Sequence, residues 1–179
     1  MTAISPLRLA HIVFRTNALQ KMMDWYCSVL GAHVVFANDR IAFLTYDEEH
    51  HRIALIATQT FAPRAPSPAV GFYHSAFTYE GLPQLLATYD RLQQEGILPW
   101  RTINHGPTVS FYYADPDGND VELQVDRFAD ARDAELWMAG EAFARNPVGI
   151  EIDPEELCRR VAAGEPAADI MRRSDEVPA

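Results

Sequence analysis

Chemistry in this chain can come from a small set of side chains. His11 and His74 hold the same place in two segments that repeat one another, RLAHIVFRT and GFYHSAFTY. Glu122 lies in the strand-like run NDVELQVD between Val121 and Leu123, so its side chain points to the face opposite both. Each has an ordinary explanation alone: a Glu on the solvated face of an edge strand, or a His hydrogen-bonded within a core. Together, two imidazoles and one carboxylate are the donor set that holds a hard divalent ion by one face and leaves its other positions open. His105 and Tyr112 stand on the strand runs leading into the same turn. His50 and His51 follow Asp47-Glu48-Glu49, where they are either exposed turn residues or a source of an imidazole that exchanges protons near neutrality. Adjacent strand residues face opposite ways, so only one of His50 and His51 can point inward.

The elements that must position these groups follow from local rules. Thr108 to Tyr113 alternates β-branched and aromatic residues as a strand does, Asp115-Pro116-Asp117-Gly118-Asn119 is a turn, and Val121 to Val125 is the returning strand. An internal repeat organises the rest. Module one (7–58) and module two (71–127) each read strand, helix, strand, strand, strand, with Gly31 and Gly96 at the helix ends and Asp47 matching Asp115. The Pro- and Ala-rich stretch 59–70 reads as the linker. The helices are expected over about 18–30, with Leu19, Met22, Met23, Tyr26, Val29 and Leu30 at spacings of three and four, and over 82–94. The fold expected is α+β: two βαβββ modules side by side, forming an incompletely closed eight-stranded β-barrel with helices outside and a pocket inside. Residues 1–127 make that domain and 128–179 a helical C-terminal extension. In the extension one helix is expected over 128–144, a second from the Asp153-Pro154 cap to about Gly164, and a frayed polar end beyond. The extension is expected to cover an open edge or to form a subunit contact.

The run Ile-x-His, five residues, Phe-Tyr, two residues, Asp-Pro-x-Gly, three residues, Glu (Ile103 to Glu122) resembles the signature of the type I extradiol ring-cleaving dioxygenases, of the vicinal oxygen chelate superfamily. The resemblance covers both modules and implies His11, His74 and Glu122 as metal ligands. It implies His105 and Tyr112 as residues that contact substrate, Tyr112 inward and Tyr113 in sheet packing. "HHRIAL" resembles the family's His-His motif, which favours His51 as the acid–base. The cofactor implied is Fe(II), with Mn(II) accepted by the same hard donors. The partners implied are a catechol and dioxygen, the product a ring-opened semialdehyde, and the setting aromatic hydrocarbon catabolism. Lacking a separate N-terminal pair of modules, the chain departs from two-domain members. The alternatives are a glyoxalase-like non-redox metalloenzyme and a metal-free sequestering protein of the bleomycin-resistance kind.

Bulk properties narrow the classes further. The 179 residues suffice for one domain with its own core, and the formal net charge of −10 argues against nucleic acid or an anionic membrane surface as partner. Two cysteines, Cys27 and Cys158, suggest no disulfide framework. The N-terminus lacks a signal-peptide layout and no apolar run reaches membrane-spanning length, so a cytoplasmic setting is expected; separately, a homo-oligomer is expected. His33, outside the motif, is expected to be structural.

Overall fold

The computed structural model describes residues 4–58, 60–62 and 70–176. The linker prolines Pro63, Pro66 and Pro68 lie outside the described residues. Two compact units make up the chain: the described part of Met1–Gly71 together with Asp115–Gly118, and Phe72–Ala114 together with the described part of Asn119–Ala179.

The first unit carries β1 (Ile12–Thr16), α1 (Leu19–Leu30), β2 (His33–Ala37), β3 (Ile41–Thr45) and β4 (Ile53–Ala57), in the sheet order β1-β4-β3-β2. β1 runs parallel to β4, and the other pairs are antiparallel. Helix α1 forms where the apolar spacing places it and buries Met22, Met23, Tyr26 and Val29. Within this unit Tyr26 Oη donates to Asp115 Oδ2 at 3.1 Å, so a helix residue holds the turn that begins Asp-Pro-x-Gly. Burial, and then the neighbouring Asp115 carboxylate, push the Tyr26 phenol well above its ordinary pKa, which keeps it a donor. His33 lies on β2, whose five residues are all exposed.

The second unit repeats the plan with β5 (His74–Tyr79), α2 (Leu82–Gln94), β6 (Arg101–Asn104), β7 (Thr108–Ala114) and β8 (Asp120–Asp126). Its order is β5-β8-β7-β6, the same as in module one, with β5 parallel to β8. The eight module strands are thus four to each of two mixed sheets, and the architecture is α+β. Gly31 and Gly96 take left-handed conformations, φ 63° and 75°, at the two helix ends. After α2, Ile97 N–H reaches Leu92 O and Gly96 N–H reaches Gln93 O, satisfying carbonyls the helix leaves open.

The extension is more ordered than its sequence suggests. The expected helix over 128–144 is two helices, α3 (Ala131–Met138) and α4 (Glu141–Arg145), interrupted where Gly140 takes an extended conformation. A two-residue strand, β9 (Ile150–Glu151), pairs antiparallel with β6 and covers that edge of the second sheet. Helix α5 (Pro154–Ala162) starts at the Asp153 cap, which accepts from Glu155 N–H at 3.0 Å; it buries Leu157 and packs on α2, where Tyr89 Oη donates to Glu155. In place of a frayed end, α6 (Ala167–Ile170) follows, with Ile170, Met171 and Arg173 buried; 177–179 lie outside the described residues.

Leu157 is 4% exposed. Replacing it with Ala should lower the unfolding free energy by about 2–5 kcal/mol, read by urea denaturation. A loss within about 0.5 kcal/mol, the range of surface substitutions, would mean that α5 is not docked.

Candidate active site

Strand register builds the second unit's site. Tyr112 stands directly across from Glu122 on the β7–β8 pair, and Glu122 lies beside Ala76 on the parallel β5–β8 pair. Residues two apart share a face, so His74, Glu122 and Tyr112 emerge together. The intervening residues turn the other way, where Phe111 packs edge-on against Tyr89 of α2. Tyr113 is on that side too, and Tyr112 is the one of the pair on the face with Glu122.

Glu122 is 5% exposed, and its Oε2 lies 2.9 Å from His74 Nε2. Tyr112 Oη is 2.9 Å from His105 Nε2, while His105 Nδ1 hydrogen-bonds the Val148 carbonyl. Burial, and then the Glu122 charge beside it, push the Tyr112 phenol well above its ordinary value, so it remains protonated. Burial is the largest influence on His105 and, with Arg101 and His74, lowers its pKa against the pull of the Val148 carbonyl and Glu122, so a neutral ring is favoured. His74, His105 and Tyr112 line a cavity of about 340 Å³ with Tyr73, Trp100, Arg101, Ile103, Pro147 and Val148. Pro147 and Val148 come from the extension. No period or motif marks them, and the sequence gives no hint that they reach this wall.

In the first unit, Ile12 N–H bonds to Arg52 O, which brings the residues preceding β1 and β4 together. The exposed His11 ring lies 4.4 Å from that of the half-buried His51, and His51 stacks on Phe43 at 4.6 Å. His50 is exposed, with its Nδ1 2.6 Å from His51 Nδ1, so one ring donates and the other accepts. Partial burial, then the positive charge His11 and His50 carry when protonated, lower the His51 pKa against the pull of Glu49.

Among the described residues no group of three or more His, Cys, Asp or Glu side chains is assembled to hold an ion. Two of the three expected donors, His74 and Glu122, do meet, and their chemistry fits a small dication. A buried carboxylate needs positive charge beside it. The 2.9 Å between Nε2 and Oε2 is also the spacing of neighbouring ligand atoms about 2.1 Å from one ion.

The profile of the Glyoxalase/Bleomycin resistance protein/Dioxygenase superfamily matches residues 8–123. The chain belongs to this superfamily. It is 45% identical to Biphenyl-2,3-diol 1,2-dioxygenase 2 of Rhodococcus globerulus over 89% of this chain and 84% of that protein. It is 44% identical to Biphenyl-2,3-diol 1,2-dioxygenase 3 of the same organism over 93% and 88%. The fold is shared with a glyoxalase/dioxygenase from Nostoc punctiforme, at a TM-score of 0.55 and 21% identity over 70% of this chain and 97% of that one. No helix among the described residues is long and apolar enough to cross a membrane.

The lowered His105 pKa has a consequence for stability. On acidification the unfolded chain takes up a proton near the ordinary pKa of about 6.5, while the folded ring resists it, so folding loses stability as pH falls through that range. Wild type should therefore lose stability relative to His105→Asn between about pH 7.5 and 5.5, measured by urea unfolding. A wild type that gains on the variant in acid would show a charged His105 in the fold.

Proposed function

We propose that this protein is a one-domain extradiol dioxygenase that inserts both atoms of O2 into a catecholic ring beside its vicinal hydroxyls, giving a ring-opened semialdehyde-type product. The observation that carries this reading is the buried Glu122 carboxylate facing His74 and Tyr112, which line an aromatic-walled cavity, in a superfamily chain 45% identical to a biphenyl-2,3-diol 1,2-dioxygenase. The ligands proposed for Fe(II) are His11, His74 and Glu122, and Mn(II) suits the same donors. When bound, the metal links catechol and dioxygen electronically and so relieves the spin barrier to their direct reaction.

The chain's own groups handle the substrate and its protons. His51 takes a proton from a catechol hydroxyl and returns it to the product, a role that suits an imidazole. Tyr112, kept protonated, donates a hydrogen bond to the substrate oxygen, and His105 anchors the same region. Tyr73 and Trp100 offer flat apolar faces to the aromatic ring. The free thiols Cys27 and Cys158 accord with a cytosolic setting. The exposed apolar edge Val34–Phe36 on β2 accords with a homo-oligomer.

After anaerobic loading with Fe(II), 2,3-dihydroxybiphenyl in air should give a yellow ring-cleavage product. His11→Ala and Glu122→Ala should lose both bound iron and colour. His51→Asn should keep its iron while kcat falls about 10²–10⁴-fold. Stoichiometric iron without turnover of any catechol, or no bound metal, would overturn the reading.

A further inference from the structure

The C-terminal extension grips His105 from several directions, and the proposed function uses none of that grip. The His105 ring donates from Nδ1 to the Val148 carbonyl, and its main-chain carbonyl accepts from Arg173 Nη1 at 3.1 Å. Asn104, 2% exposed, donates to the Met171 carbonyl at 2.9 Å and accepts from Gly106 N–H at 2.9 Å. The Trp137 ring fills the space a Cβ on Gly106 would need. The loop presenting Val148 is closed on itself: Asn146 Oδ1 accepts from Gly149 N–H at 3.0 Å, and Asn146 Nδ2 donates to Gly149 O at 2.8 Å. Gly149 lies so close to Asn104 and His105 that a Cβ there would strike their backbone.

Arg173 joins these pieces. It is 1% exposed, an environment in which a guanidinium is costly unless every donor is used. Nε and Nη2 bind Asp175 at 2.8 and 2.6 Å, and Nη1 spans the carbonyls of His105 and Asn146. Its plane rests over Trp137, 5.4 Å from the ring centroid. One buried cation thus fixes both the chain at His105 and the loop that offers it a carbonyl.

We propose that Arg173, with Asn146, is a positioning residue that locks His105 in one tautomer. A carbonyl can only accept, so Nδ1 must carry the proton. In a neutral imidazole Nε2 is then an acceptor facing Tyr112 and the cavity. The site thereby selects a ligand that brings a hydroxyl proton to that nitrogen, which frees the Tyr112 proton for an oxygen of the ligand. A ligand with only acceptor oxygens there competes with Nε2 for the single Tyr112 proton. That the ligand is a catechol rests on the dioxygenase reading; the tautomer rests on the geometry alone.

The test is long-range ¹⁵N–¹H correlation on the full-length, histidine-labelled chain at neutral pH with Zn(II), a diamagnetic ion, added. His105 is assigned by the signals that vanish in His105→Asn. Wild type should show protonated Nδ1 and bare Nε2. Arg173→Ala and Asn146→Ala should move both nitrogen shifts toward an averaged pair of tautomers, and Arg173→Lys should restore part of the change. If Arg173→Ala does not fold, judged by near-ultraviolet circular dichroism, Asn146→Ala decides. A wild type with Nε2–H, or folded variants in which His105 stays wholly Nδ1–H, overturns the proposal. Because turnover is not read, failure of ring cleavage and failure of this lock are separate results.

Discussion

A carboxylate buried to the extent of Glu122 has to be met by something positive or by strong donors, because burying it without them is costly. Much of the second unit can be understood as meeting that need. Parallel pairing of β5 with β8 puts His74 on the same face, and antiparallel pairing of β7 with β8 sets Tyr112 opposite. A register slip of one residue on any of these strands would send one partner to the helix side and leave the charge alone. The alternation of Phe111 and Tyr113 against α2 with Tyr112 toward the carboxylate is therefore both a packing pattern and a condition for the site.

The parts of this arrangement that obey local rules could be read from the chain. Helix α2 runs from Leu82 to Gln94 as its spacing predicts, the Asp153 cap starts α5, and the opposed directions of Tyr112 and Tyr113 follow from strand parity. Repetition of one plan makes the equivalence of His11 and His74 legible in the sequence. The extension resisted such reading because its order is tertiary. Nothing periodic distinguishes a two-residue strand at Ile150–Glu151, and nothing local says that Arg173, in a charged stretch, will be among the most buried side chains. Its burial is decided by His105, Asn146 and Trp137, residues 27 to 68 positions away in the chain for the two carbonyls it binds.

That tertiary order changes how the extension is understood. A segment that only shielded a sheet edge could be apolar throughout. Here it also supplies wall to the cavity through Pro147 and Val148, its Arg173 ends on the His105 carbonyl, and its Met171 carbonyl accepts from the Asn104 side chain. Edge protection and construction of the cavity wall are served by the same few turns of chain.

The two modules share one sheet order, and the registers allow their positions to be paired. Val13 beside Ala54 corresponds to Ala76 beside Glu122, and Phe43 opposite Ala54 corresponds to Tyr112 opposite Glu122. Where one copy has a phenol facing a carboxylate, the other has a phenyl facing a methyl. By the same count His51 answers to Asn119. The repeated plan thus carries unlike side chains: one copy has the carboxylate with a phenol across from it, the other an imidazole beside an apolar ring. A fold of this kind can exchange tasks between its halves by side-chain substitution alone, with no change of backbone.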